Sequence, residues 1–156
     1  MSEKIRGALF NSLGDITGLS VLDAFAGTGA VGVEALSRGA GHVNAIDMNA
    51  DTFDTLKANR DAITNEERME VHRANTSTLL KNQQRYYDLV IADPPYDAIG
   101  MKALMACAEY TAPGGLLVAS LPQAEHITFD GLKKIDEKRY GNAKLVFYRK
   151  MKLGLK

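Results

Sequence analysis

Tryptophan is absent, histidine occurs three times, proline four times and cysteine once in this chain of 156 residues, and the formal net charge is zero. A single cysteine excludes a disulfide framework within the chain. Cys107, among Leu104, Met105 and Ala108, reads as a buried structural thiol in a helix. His42, His72 and His126 have no Cys or carboxylate partners at ligand spacing, so no metal is expected. No apolar run approaches the length needed to cross a bilayer. The opening segment Met1 to Leu13 is charged and amphipathic, with Ile5, Leu9 and Leu13 four residues apart, and lacks the apolar stretch and small-residue cleavage site of a signal peptide. A cytoplasmic protein outside the membrane is expected, and a monomer. The length suits one domain over residues 1–156 with one well-buried core.

Neutrality overall hides an uneven distribution. Up to Thr78 there are seven basic against eleven acidic residues, and from Leu79 onward twelve against eight. Residues 133–156 hold nine basic and two acidic side chains. Such a tail can contact phosphates, or be an ordinary solvated strand face, and the composition does not choose between them.

Apolar strands alternate with helical patterns along most of the chain. Strands are expected from Val21, over His42 to Asp47, Met69 to Arg73, Leu89 to Ala92 and Leu116 to Leu121. Helices are expected over Ser2 to Leu13 with Gly14 at its end, after Gly29, after Ala50 with Phe53, Leu56 and Ile63 inward, and from about Gly100 to Tyr110. A short helical turn is expected at Leu79 and Leu80. Nearly continuous apolar strands between helices predict a parallel sheet covered on both faces. The ending departs from this: Lys133 to Tyr140 and Lys144 to Lys150 around Gly141-Asn142 read as an antiparallel hairpin.

Two motifs carry chemistry. Asp93-Pro94-Pro95-Tyr96 follows the apolar run Leu89 to Ala92. The prolines keep the segment out of helix with its carbonyls free, or only end the strand and turn the chain. Asp93 and the Pro94 carbonyl can then accept both N–H bonds of a planar amine, and Tyr96 can stack on its ring. Upstream, Gly27, Gly29 and Gly32 match G-x-G-x-x-G, with Asp47 twenty residues after the first glycine, a spacing shared with dinucleotide sites. Asp23 discriminates. A carboxylate at that strand end repels a pyrophosphate and suits an ammonium, which fits S-adenosyl-L-methionine better than a nicotinamide dinucleotide. Asp47 can accept from ribose hydroxyls, or serve as a cap for the helix beginning at Ala50. Asn75 is placed for adenine-edge hydrogen bonds, though asparagine after a strand is also ordinary turn chemistry. Asp23, Asp47, Asn75 and Asp93 all fall at carboxyl ends of strands, where ligands of such sheets lie.

In Lys4 to Asn11, Asp23 to Gly32, Glu34 to Ala40, Asp93 to Tyr96, Tyr140-Gly141 and Lys144-Leu145, the chain resembles the small-subunit ribosomal RNA guanine-N2 methyltransferase family. Members are class I S-adenosylmethionine-dependent enzymes, and the resemblance covers nearly the whole chain. It implies a Rossmann-like α/β fold, mostly parallel and seven-stranded, with the last strand inserted antiparallel and helices on both faces. A cofactor pocket is implied from Asp23, Ala24, Phe25, Ala26, Gly27, Thr28, Gly29, Asp47, Met48, Asn75, Thr76 and Asp93. Catalysis is implied at Asp93, Pro94, Pro95 and Tyr96, and substrate contact at Arg6, Phe10 and Asn11. The implied partner is ribosomal RNA in a partly assembled small subunit. The amine motif is shared with adenine-N6 enzymes, so an adenine-N6 methyltransferase stays open beside the guanine assignment, as does a non-catalytic cofactor-binding assembly factor. Family members carry a basic, strand-rich segment ahead of the helix matching Ser2 to Leu13, and this sequence begins at that helix. Ser120-Leu121-Pro122 also lacks the acidic residue often found there.

Overall fold

The computed structural model describes residues 1–152; the last four residues of the basic tail, and of the expected 1–156 domain, lie outside them. The elements run α1 (Glu3–Leu13), β1 (Ser20–Asp23), α2 (Ala30–Ser37), β2 (His42–Asp47), α3 (Ala50–Ile63), β3 (Met69–Arg73), α4 (Thr76–Gln83), β4 (Tyr87–Ala92), α5 (Ala98–Glu109), β5 (Thr111–Pro122), β6 (Leu132–Tyr140) and β7 (Ala143–Lys150). One seven-stranded sheet has the order β3-β2-β1-β4-β5-β7-β6. The first five strands are parallel, and β7 inserts antiparallel between β5 and β6. This is the mostly parallel, Rossmann-like sheet with a terminal hairpin that the sequence implied.

Alternation along each strand divides the core into two layers, because successive side chains point to opposite faces. Leu22, Val90, Leu117 and Val146 pack with Leu80 of α4 and Leu104 and Cys107 of α5. Val21, Ile91, Val118 and Phe147 pack on the other face with Leu9 and Phe10 of α1, Ala35 of α2 and Leu56 of α3. Burial pushes the Cys107 thiol up to about 12, so it stays protonated and behaves as a small apolar side chain. No helix among the described residues is long and apolar enough to cross a membrane.

Several elements differ from the sequence expectation. The turn at Leu79 and Leu80 is an eight-residue helix whose N-terminal N–H of Thr78 is capped by Asn75. Helix α5 begins at Ala98, earlier than expected, because Asp97 caps it through the Gly100 N–H. Ile63 is not inward: it is 52% exposed. Arg60 fills the last inward position of α3, its guanidinium donating to the Met69 carbonyl at 2.9 Å. Phe10 is fully buried with the Arg38 guanidinium 5.4 Å from its ring centroid, so its expected substrate contact is corrected to a core role. The i, i+4 stripe of α1 spreads one position further than Ile5, Leu9 and Leu13, and Phe10 falls inside it.

Candidate active site

The chain runs out along one side of the sheet through β1, β2 and β3, then returns to place β4 beside β1. The crevice at that reversal is where open α/β sheets bind ligands. Asp23, Asp47, Asn75 and Asp93 all gather there.

Asp23 ends β1 and is 3% exposed. Its Oδ2 accepts the Gly32 N–H at 3.2 Å. Burial pushes its carboxyl up to about 7; the Gly32 bond and the Met1 ammonium lower it in part, while the Asp47 and Asp93 charges raise it further. A buried carboxyl held near neutrality beside two further carboxylates is a site where a cation is favoured.

The glycines serve different ends. Gly27 and Gly29 have φ of 55° and 90°. At Gly29 an added Cβ would also lie 2.6 Å from Leu56 Cδ1. Gly32 lies in the first turns of α2, where a Cβ would sit 3.0 Å from Met69 Cε and Val43 Cγ1. Helix α2 has Gly29 as its N-cap, which offers no side chain, and the Asp23 carboxyl takes the Gly32 N–H of its first turn instead.

Asp47 is heavily committed within the protein. Its Oδ2 accepts the Gly27 N–H at 2.7 Å, and its Oδ1 accepts from the Asn49 N–H at 2.8 Å and the Thr52 hydroxyl at 3.1 Å. It therefore ties the glycine loop to α3. Asn75 Oδ1 accepts from the Ser77 hydroxyl at 2.7 Å and the Thr78 N–H at 3.1 Å, leaving the amide NH2 toward Met48. The Thr76 hydroxyl donates to the Ala24 carbonyl at 2.9 Å, joining α4 to the end of β1.

After β4, Pro94 is buried while Pro95 and Tyr96 are exposed. The Tyr96 hydroxyl donates to the Ser120 carbonyl at 3.4 Å, and burial, with the Asp93 charge, raises its phenol above the usual tyrosine range. Asp93 Oδ2 accepts from the Met1 ammonium at 3.0 Å. Gly100 lies under the motif: a Cβ there would be 1.9 Å from the Pro95 carbonyl oxygen. Only a residue without a side chain lets α5 approach so closely.

Two adjoining hollows result. One of about 390 Å³ is lined by Ala24, Phe25, Gly27, Asp47, Met48, Asn75, Thr76, Asp93 and Pro95, and by Asn49, Asp97, Ile99 and Ala103. A smaller one of about 160 Å³ is lined by Asp23, Ala26, Thr28 and Arg6, and shares Phe25, Gly27 and Asp93 with the first. Asp93 thus stands on the wall between them. Gly29 and Pro94 are buried behind this surface and Tyr96 stands outside both hollows, 55% exposed. Asn11 is exposed on α1 and lines neither. Sequence reasoning missed Asn49, Asp97, Ile99 and Ala103. The first two carry a readable signal, a capping residue just before a helix; Ile99 and Ala103 carry none, because helix periodicity does not reveal which strand end a helix leans over.

Fold and cleft together define a doubly wound α/β protein with a ligand crevice at its switch point. The chain belongs to the family described as Conserved hypothetical protein 95, which it matches over residues 1–149. It is similar to Ribosomal RNA small subunit methyltransferase D of Buchnera aphidicola, 38% identical over 97 residues, 61% of this chain and 50% of that protein. It is also similar to YlbH of Bacillus subtilis, which bears a provisional rRNA methyltransferase name, 28% identical over 96% of this chain and 86% of that one. The chain spans about half the length of the Buchnera relative. Its fold recurs in a Thermus thermophilus 16S rRNA N2 guanine methyltransferase solved with AdoMet and guanosine, at a TM-score of 0.77 and 18% identity over 92% of this chain and 41% of that one.

Proposed function

We propose that this chain is an S-adenosylmethionine-dependent methyltransferase acting on the exocyclic N2 of a guanine in small-subunit ribosomal RNA. The observation that carries the reading is Asp93 on the wall shared by the two hollows, with the undercompensated Asp23 carboxylate in the smaller one. The names of the Buchnera and Bacillus relatives support the class of reaction and the RNA substrate.

The residues fit the cofactor, because burial holds the Asp23 carboxyl near neutrality until a cation arrives, and an amino-acid ammonium would draw out its charged form. The cofactor supplies an electrophilic methyl on a sulfonium. Asp23 would hold the ammonium; the glycine loop would admit the ligand's backbone-sized approach; Asp47 and the Asn75 amide would meet the ribose and adenine. Asp93 and the Pro94 carbonyl would accept the two N–H bonds of the target amine, drawing its lone pair out of conjugation and orienting it. The proton shed when the N–C bond forms would pass toward Asp93. Most of the rate would come from positioning. Tyr96 would cover the base, and Arg6 would border the same space. The described residues act as one methyltransferase domain in this reading, working as a monomer in the cytoplasm on a partly assembled small subunit.

The test is transfer of labelled methyl from S-adenosylmethionine to small-subunit particles and to naked RNA from cells lacking the endogenous activity, followed by nucleoside digestion. Label in N2-methylguanosine is expected. Label in N6-methyladenosine would overturn the guanine assignment, and cofactor binding without transfer to either substrate would overturn catalysis.

A further inference from the structure

We infer that the face of the β6–β7 hairpin carrying Lys134 and Arg139 is a phosphate-binding platform for the RNA strand flanking the modified base. The inference rests on the proposed RNA substrate. Strand register places this surface on the same edge of the sheet as the amine motif. Leu121 pairs with Lys144 and Pro122 with Ala143, so β7 begins where β5 ends; Arg139 pairs with Lys144 across the hairpin. From β4 the order runs β5, β7, β6. Three inter-strand steps set the platform about 15 Å from the end of β4.

The charge arrangement there is unbalanced. Glu137 Oε1 meets Lys134 Nζ at 2.8 Å and Lys144 Nζ at 3.3 Å, and its Oε2 meets Arg139 Nε at 3.1 Å. Three cations share one carboxylate, which Lys134 and Arg139 hold down to about 2. Asp136 accepts the Glu137 N–H at 2.8 Å and forms no ion pair with the three cations among the described residues. A hollow of about 200 Å³ lies beside the cluster, bordered by Lys134, Glu137, Lys144 and His126, with Glu125 its other acidic neighbour. The Lys144 side chain is 1% exposed, whereas those of Lys134 and Arg139 are 49% and 61% exposed.

With the buried Lys144 left to balance Glu137, the two exposed cations can swing from that carboxylate to a phosphodiester. The platform is also held in place. The Gln123 amide donates to the Gly141 carbonyl, and the Gln123 N–H donates to the Asn142 carbonyl at 3.0 Å. The Tyr140-Gly141 and Lys144-Leu145 segments thereby gain a role outside the cofactor cleft.

The test compares wild type with K134A/R139A and with E137Q, binding a small-subunit ribosomal RNA fragment over a range of salt, with melting temperature read alongside. Loss of two phosphate contacts lowers the slope of log K against log salt by about 1.4 to 1.8. The double variant should show that loss, with an unchanged thermal shift by S-adenosylhomocysteine. E137Q frees cations from their internal partner and should tighten RNA binding. A wild-type slope in the double variant overturns the inference, as does weaker RNA binding by E137Q in step with a fallen melting temperature, which marks the cluster as a fold clamp. Methyl transfer by wild type is scored separately. Salt-steep RNA binding without transfer leaves the platform standing and sinks the enzymatic reading. Transfer to guanine N2 with an unaltered slope in the double variant does the reverse.

Discussion

The carboxyl edge of the sheet has two chemically opposed ends. Around β1, β2 and β4 it carries Asp23, Asp47, Asp93 and Asp97, all at or beside the two hollows. Along the β6–β7 hairpin it carries Lys134, Arg139 and Lys144 about Glu137. One end suits a cationic cofactor and the other an anionic polymer. Zero net charge thus conceals opposed local fields at the two ends. The sequence split of seven against eleven, then twelve against eight, traces this division only in part, because Asp93 and Asp97 belong to the basic half of the chain and reach the acidic end through the fold.

The comparison breaks most sharply at Asp93, where the two ligands would meet. Asp93→Ala should lower the rate of transfer by about 10²- to 10³-fold, the usual cost of losing a polar group aimed at the reacting centre. Calorimetric affinity for S-adenosylhomocysteine should stay near wild type. Undiminished turnover would remove Asp93 from the chemistry. Gly100→Ala comes next. A Cβ 1.9 Å from the Pro95 carbonyl oxygen must displace the motif or the helix. A shift on the order of 1 Å costs about 10²-fold in rate, so kcat should fall much further than cofactor affinity, with single-turnover kinetics locating the loss in the transfer step.

Asp23 tests the acidic end by itself. Asp23→Asn should weaken cofactor binding by about 10- to 100-fold, the scale of one charge-assisted contact. The pH dependence is the sharper reading. Because burial raises the free carboxyl to about 7, it must shed a proton to pair with an ammonium. Wild-type affinity should therefore rise with pH up to about 7 and level off above it, while the Asn variant stays flat. The same shift has a stability sign. A carboxyl raised above its ordinary value costs nothing below pH 4 and increasingly weakens the free protein as pH rises from there through 7. Saturating cofactor should cancel that loss, visible as a ligand-induced rise in melting temperature that grows between pH 5 and 8.

How much of this was legible in sequence differs between the same two ends. The apolar runs of β1 to β5 and the G-x-G-x-x-G loop announced the parallel sheet and the cofactor edge, because period and turn chemistry are local. The hairpin was legible as a hairpin, but not the crowding of Lys134, Arg139 and Lys144 on one carboxylate, which depends on register across two strands. Ile99 and Gly100 matter only because α5 leans over the end of β4. Phe10 misled for a related reason: it lies beside Arg6, which borders the smaller hollow, yet its own side chain turns into the core under Arg38.

The smallest effect separates two uses of one residue. Asn75 caps α4 through Oδ1, which accepts from the Thr78 N–H at 3.1 Å and the Ser77 hydroxyl at 2.7 Å. That leaves only its NH2 for a ligand. Asn75→Ala removes both contributions, whereas Asn75→Asp keeps the cap oxygen and replaces the donor with an acceptor. The alanine variant should lose about 1 kcal/mol of stability, the ordinary value of an N-cap, in a denaturant titration. The aspartate variant should keep that stability and still lose a few-fold in cofactor affinity, a change of about 1 kcal/mol for one hydrogen bond. If its affinity matches wild type, Asn75 is a cap that happens to line the cleft, and adenine recognition passes to the backbone and to neighbours such as Ile99.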